Sequence, residues 1–441
     1  MSEGFWDGWV GREIRWRQRQ LRTRRLCLDG EPERKGRRGG AVRVAEVQRR
    51  LVEQQKPFGH RALTGPVALD LDFRVTSTNP PTLYHVAKHL LDVLGPVHPE
   101  GSDLGRRHVL YCDDRQVKLL YVHLWHPGVT SASVSDTTQG STSIEARPLR
   151  DVAADFELVN GLRRETRRIE GWDDDAEDSP FYIPEIPDTE PDLAFIPEQE
   201  TSDEQARQWS NLNNWFAALD HSQLQEALLR RTDALLASIL CSAAYEIAGT
   251  RPRRFSYADH PAFRSVSAVL DEVRARDRQI LLSVYMTLPM PGLPRLSGER
   301  QAFKAAVRRH LEQLRTRWPV FNPLLVPLKV TFLVVAPEQG KDLDNLALEV
   351  LPLVHETLRP PLTPSILQSG LLGSNPPENE AVRKRLHALR THSVTAYEVI
   401  ELNRGEDDPP QGHLRLALSS GSQTGSTWGR IADHVQKAMR S

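Results

Sequence analysis

Ala336–Val354, APEQGKDLDNLALEVLPLV, follows the apolar run VPLKVTFLVV, and its own apolar residues recur at helical spacing. The junction therefore reads as a buried strand that ends and a helix that begins. Asp342 and Asp344 stand two apart at the mouth of that helix, with Asn345 next. Two chemistries account for them. Asp and Asn accept hydrogen bonds from free backbone N–H groups and suit the positive end of a helix dipole. A divalent cation such as Mg²⁺ takes oxygen ligands, often only one or two protein carboxylates, with water and phosphate completing its shell. One Asp is enough for a cap, so the second makes the metal reading worth pursuing along the rest of the chain.

The chain has 441 residues, 39% hydrophobic and 26% charged, long enough for two or three domains of ordinary composition. A net charge of -1 hides segregation. REIRWRQRQLRTRRL and RKGRR near the N-terminus are rich in Arg, whereas Trp172–Glu204 is rich in Asp and Glu. Such blocks predict a basic binding surface and an acidic linker. Cys27, Cys112 and Cys241 are odd in number and far apart, with no zinc spacing, which fits a reducing cytoplasm. No run of about 18 apolar residues exists and the N-terminus lacks a secretory core, so no membrane partner is expected.

Periodicity places a helix over AVRVAEVQRRLVEQQ and a half-buried strand over GPVALDLDFRV, with Val67, Leu69, Leu71 and Phe73 on one face. TLYHVAKHLLDVLG is a helix stopped at Gly95, and RHVLYCDDRQVKLLYVHLWH reads as strand, acidic turn, strand. STSIEARPLRDVAADFELV offers a strand and a short helix. From about residue 279 the order returns: a strand in ILLSVYMTLPMPG, a basic helix in GERQAFKAAVRRHLEQLRTRW, the strand PLKVTFLVV and the opening helix. HSVTAYEVIELNR and GHLRLALSS follow as strands, and STWGRIADHVQKAM closes as a helix. This is a weak internal repeat. Val86 matches Leu346, Leu90 matches Val350, Leu91 matches Leu351 and Leu94 matches Val354. Thr82, Tyr84 and His85 then stand where Asp342, Asp344 and Asn345 stand, and Asp113 and Asp114 match Thr395 and Ala396. Each half keeps one acidic pair.

A strand, an Asp-x-Asp-Asn at a helix start, and an Asp-Asp before the next strand resemble the RusA family of Holliday-junction resolvases. The family pattern is Lys-Pro-Asp-x-Asp-Asn-Leu with a Lys three after the Asn, and later Asp-Asp-x-x-Val. Asp342, Asp344 and Asn345 match in the second copy, where Gly340-Lys341 replaces Lys-Pro and Leu348 replaces the Lys. Pro81, Lys88, Asp113, Asp114 and Val117 match in the first. The resemblance covers about residues 40–160 and 279–440 as two degenerate tandem copies. It implies an α+β fold of two RusA-like mixed-sheet domains forming an internal pseudo-dimer. The expected organisation is a first copy with its basic segment over 1–160, an acidic Pro-rich linker over 161–205, a helical segment over 206–275 and a second copy over 276–441. It further implies a Mg²⁺- or Mn²⁺-dependent endonuclease of branched or structured DNA, in recombination or repair, cytoplasmic and nucleoid-associated. Asp342, Asp344, Asp113 and Asp114 would hold the metal, with Asn345 and Lys88 completing the catalytic set. Two readings stay open: one composite site drawn from both copies, or decayed sites on a scaffold kept for nucleic-acid or protein binding.

The expected phosphate-backbone contacts are Arg22, Arg24 and Arg25 near the N-terminus and Arg308, Arg309 and Arg315 in the basic helix. A protein partner would use residues 202–275. His85, His89 and Asp92 have a spacing that can bind a transition metal but suit the polar side of an amphipathic helix. Glu398 and Glu401 read as exposed strand positions, and no Walker A loop, G-x-G-x-x-G or H-E-x-x-H is present.

Overall fold

The computed structural model describes residues 8–33, 40–77, 79–127, 129, 139–155, 158, 287–294, 297–317, 327–337, 343–359, 388–402, 410–420 and scattered positions from 425 to 439. The expected linker over 161–205 and helical segment over 206–275 lie outside the described residues. The chain is a mixed α+β protein. Its strands are β1 (Arg24–Asp29), β2 (Val67–Arg74), β3 (Val117–Trp125), β4 (Ser141–Pro148), β5 (Thr287–Pro289), β6 (Leu328–Val335), β7 (Val394–Leu402) and β8 (His413–Ser420). They form one eight-stranded sheet in the order β1-β4-β2-β3-β7-β6-β8-β5. The principal helices are α1 (Trp9–Arg22), α2 (Gly40–Gln55), α3 (Leu83–Leu94), α4 (Arg300–Arg317) and α5 (Leu343–Leu358).

The period-two alternation of β2 turns Val67, Leu69, Leu71 and Phe73 into the main core and leaves Asp70, Asp72 and Arg74 on the other face. The core face is covered by α2, α3, α4 and α5, whose apolar stripes bury Leu51, Val86, Leu90, Val307, Leu311, Val350 and Val354. Six buried positions of α3 recur in α5. Val86, Ala87, Leu90, Leu91, Val93 and Leu94 match Leu346, Ala347, Val350, Leu351, Leu353 and Val354.

Strand register repeats in the same detail. In the first half β2 runs parallel to β3 and antiparallel to β4, which pairs antiparallel with β1. In the second half β6 runs parallel to β7 and antiparallel to β8, which pairs antiparallel with β5. Val67 pairs with Val117, and after an irregularity Ala68 pairs with Leu119. Leu328 pairs with Val394, and after the same irregularity Lys329 pairs with Ala396. A bulge at the same step of both strand pairs is a specific structural feature that sequence drift alone would not keep in place. The halves join where β3 runs antiparallel to β7, and Tyr121 lies opposite Glu398. Leu119 then faces Ile400 and His123 faces Ala396, so the pairing reads the same from either side of Tyr121 and Glu398.

This register corrects one alignment. With Val117 equivalent to Val394, Asp113 and Asp114 correspond to Arg390 and Thr391, not to Thr395 and Ala396. RHVLYC is not a strand either; it makes two isolated bridges, Pro96 with His108 and Leu63 with Tyr111. Its N–H groups serve the end of α3 instead, Val109 donating to the Gly95 carbonyl at 3.0 Å and Leu110 to the Leu94 carbonyl at 2.9 Å.

The second face of the sheet is covered by α1, by helical residues 149–155 and by C-terminal helical positions. Val435 and Met439 pack there with Trp16 and Leu158. An arginine network pins α1 down. Arg19 Nε donates to Asp155 Oδ1 at 2.9 Å, and Arg147 donates to the other oxygen of Asp155. Arg22 binds Asp151 through two nitrogens at 2.9 and 2.6 Å. Asp155 and Arg147 are fully buried, so each charge depends on the others. Replacing Asp155 with Ala strands two buried guanidinium groups. The expected loss is about 3–5 kcal/mol, against about 0–1 kcal/mol for Arg17→Ala, which breaks only the exposed pair with Glu13. Urea unfolding of the two variants beside the parent measures this difference.

Candidate functional site at the sheet edges

Strand direction sorts the chemistry into two edges. At the first edge β3 begins and β6 and β7 end. Lys118 Nζ lies 2.7 Å from Glu401 Oε1 there, and Val335 pairs with Leu402. The end of α3 is tied to the same edge, because the Tyr111 hydroxyl donates to the Leu91 carbonyl at 2.7 Å. At the second edge β7 begins and β2 and β3 end. Here His392 Nε2 meets the Pro80 carbonyl at 3.0 Å, joining the approach to β7 with the approach to α3. His355 Nδ1, in the last turn of α5, lies 2.7 Å from Ser393 Oγ. The end of α5 is therefore at the second edge. A helix rises about 1.5 Å per residue, so the start of α5 is directed toward the first edge.

The sequence-predicted residues divide accordingly. Asp113 and Asp114 precede β3 at the first edge. Asp113 begins a short 3₁₀ turn (Asp114–Gln116), accepting from the Arg115 N–H at 2.9 Å, while Gln116 accepts from the Asp113 N–H at 3.0 Å. That backbone hydrogen bond is the main reason the Asp113 carboxyl is held below its ordinary range. Lys88 Nζ lies 3.1 Å from Asp92 Oδ1 and 3.8 Å from Asp114 Oδ2, so the motif lysine and the motif carboxylate are together. Asp344 and Asn345 sit in the first turn of α5, Asn345 half-buried. Asp342 lies outside the described residues. Among the described residues no group of three His, Cys, Asp or Glu side chains converges to hold a metal ion, which includes His85, His89 and Asp92. The described donors Asp113 and Asp114 match the one or two carboxylates that Mg²⁺ takes from a protein.

Several arginines expected on phosphate are engaged within the chain. Arg22 binds Asp151, Arg24 donates to the Arg22 carbonyl at 2.8 Å, and Arg25 Nε donates to Glu145 at 2.9 Å. Arg308 donates to Glu356 at 2.8 Å and Arg315 to the Thr357 carbonyl at 3.3 Å, whereas Arg309 is exposed. The N-terminal arginines thus first staple α1 and β1 to the sheet. Glu398 and Glu401 are not exposed strand positions. Glu398 is fully buried 3.0 Å from Lys329 Nζ, and burial raises the Glu401 carboxyl against the opposing Lys118.

Sequence reading missed a polar cavity of about 270 Å³ on the second face, lined by Asp70, Asp72, Tyr121, Glu145, Arg147 and Ser426 among others. The Ser426 hydroxyl donates to Asp70 Oδ2 at 2.6 Å, and the Gly425 N–H donates to the Tyr121 hydroxyl at 2.9 Å. His123 is fully buried with neither ring nitrogen hydrogen-bonded, its Nδ1 3.8 Å from Asp72 Oδ1. Burial pushes Asp70 up to about 8, with Ser426 opposing and Glu145 and Glu398 adding to the rise. The only sequence signal was the alternation of β2, which placed two acids on one face.

Two pH effects of opposite sign follow. Burial, then Arg359 and His392, lower His355 from its ordinary 6.5 to about 4, with Glu356 opposing. Between those values the unfolded chain binds more protons, so this contribution is complete above about 6.5 and is lost as pH falls toward 4. The effect is read by difference, because Asp70 acts with the opposite sign over the same window: the denaturation midpoint of the parent should fall relative to that of His355→Gln as pH drops from 6.5 to 4. Asp70 behaves oppositely. Its folded form keeps a proton up to about 8 while the unfolded carboxyl loses it near 3.8, so stability falls as pH rises between them. Asp70→Asn should gain about 1–3 kcal/mol over the parent at the alkaline end and nothing at pH ~4, as read by urea titration at each pH.

Comparison with models of known protein families, with curated proteins and with solved structures finds no match.

Proposed function

We propose that the chain is an internal pseudo-dimer of two degenerate RusA-like copies. In this reading it is a metal-dependent endonuclease of branched DNA with one composite site at the first edge. A single observation carries this. The pairing of β3 with β7 brings the start of β3, with Asp113, Asp114 and Lys88, to the edge toward which α5 starts with Asp344 and Asn345. The pieces that neither copy holds complete are thus the pieces that share an edge.

In this reading Asp113, Asp114, Asp342 and Asp344 hold Mg²⁺, which when bound polarises the phosphate and lowers the pKa of a water. Lys88, 3.8 Å from Asp114 Oδ2, would set its ammonium against negative charge on the phosphate oxygens. Asn345 offers a neutral amide that hydrogen-bonds a phosphate oxygen or a water without adding charge. The DNA is held by its backbone, which makes binding fall steeply with salt.

Cleavage of a labelled four-way junction with Mg²⁺ or Mn²⁺ tests the proposal. Asp113→Asn/Asp114→Asn and Asp342→Asn/Asp344→Asn should each lower the rate by about 10²–10³-fold, as expected for loss of transition-state charge stabilisation. Loss in only one variant would sink the composite site. A second reading has its own support in Asp113, whose reciprocal cap with Gln116 is a structural task. Junctions bound tightly but left uncut by the parent would establish that reading, a binding scaffold with relic carboxylates.

A further inference from the structure

The two edges are equivalent by register but not by chemistry. On the second edge Thr82, Tyr84 and His85 take the places of Asp342, Asp344 and Asn345, as the matched buried positions of α3 and α5 require. Arg390 and Thr391 take the places of Asp113 and Asp114, and Leu348 takes that of Lys88. The second edge is nevertheless assembled. His392 reaches the Pro80 carbonyl across the two halves, and the His392 ring lies 4.8 Å from that of His126. Thr82 Oγ1 and His85 Nδ1 are 2.6 Å apart, and His85 is exposed. Every carboxylate of the motif is absent from this edge, and a guanidinium, a phenol and an imidazole stand there instead. Those groups suit a phosphate backbone and the faces of unpaired bases.

We infer that the chain cuts one strand of a branched duplex per binding event, at the first edge, and holds the opposite strand at the second edge without cutting it. This rests on the nuclease reading above. A symmetric pair of sites would cut two strands; here one edge carries the acids and its equivalent carries none of them at the matching positions. In the single cut a water oxygen bonds to phosphorus and one phosphorus–oxygen ester bond breaks. The departing sugar oxygen takes a proton, the second proton of the water passes to solvent, and the ends are a phosphate monoester and a hydroxyl. The edges are separated by the length of β3, roughly 30 Å at about 3.3 Å per residue, enough for two strands of one junction to be held at once.

The test uses the full chain with Mg²⁺ on a supercoiled plasmid carrying an extrudable inverted repeat. One nick relaxes the plasmid and resorbs the branch, so a linear product requires both cuts within one encounter. Open circles alone are expected. Linear product would overturn the inference while leaving the nuclease reading intact, provided it persists when excess Asp113→Asn/Asp114→Asn chain is mixed in; linear product that such mixing converts to open circles shows one cut per chain and supports it. No cleavage of plasmid or junction would remove the nuclease reading itself. Tyr84→Ala/Arg390→Ala should weaken junction binding at least fivefold with the single-turnover rate at saturating protein kept within twofold. Cleavage abolished at saturation by that pair would mean that the second edge takes part in the chemistry, and would overturn the proposal.

Discussion

The antiparallel pairing of β3 with β7 is the constraint on which the rest of the molecule depends. It makes one sheet out of two four-stranded units, and it decides which loop ends meet. Strand pairing itself is permissive, since a ladder can slide by two residues and keep its faces. What holds this register is chemical. Tyr121 faces Glu398 across the seam, and Glu398 is fully buried with Lys329 at 3.0 Å and the Thr331 hydroxyl at 3.3 Å. Lys329 also lies 5.4 Å from the Tyr121 ring centroid. A buried ion pair adds little net stability, because desolvation offsets its attraction. A slip of β3 against β7 leaves that pair intact, because both members lie in the second half, but it takes the Tyr121 ring off Lys329 and parts Lys118 from Glu401. The seam is thus selective more than it is strong.

The helices α2 to α5 were legible in the sequence, and so was the equivalence of α3 and α5, whereas α1 was hidden in its arginine block. The stripes of α3 and α5 repeat with a period near 3.6, so the phase of each is fixed by its own apolar residues, and the burial of Val86 with Leu346 or Leu94 with Val354 follows. The strands β3 and β7 were legible as strands but not in register. Both are buried on both faces almost throughout, so their residues carry no alternation to set a phase. That is why Asp113 and Asp114 aligned with Thr395 and Ala396 instead of Arg390 and Thr391. The strand β1 was hidden for the opposite reason. It lies at the sheet edge and buries only Leu26 in Arg24–Asp29, so arginines dominate its reading.

Those arginines also show what charge composition leaves out. A basic block reads as a polyanion-binding surface when its partners are remote in sequence. Arg19 and Arg22 find Asp155 and Asp151 more than a hundred residues away. Only the fold brings those carboxylates in, and only then is the block seen to hold α1 against the sheet. The cavity around Asp70 is the same lesson inverted. Alternation revealed that Asp70 and Asp72 share a face, but nothing local revealed that Ser426 and Trp428, from the far end of the chain, close over them.

Two halves of like topology joined through a symmetric seam have a property that two identical subunits lack. In a homodimer every edge residue appears twice, so a change that removes an acid from one site removes it from both. When the two halves share one chain, the two edges can differ. Each edge here takes residues from both halves: the first from the approach to β3 and the start of α5, the second from the approach to β7 and the start of α3. The acids before β3 and at the start of α5 therefore share one edge, and the start of α3 and the approach to β7, which carry none at the matching positions, share the other. The difference between the edges follows from the antiparallel seam, which puts the start of one half's helix beside the approach to the other half's strand.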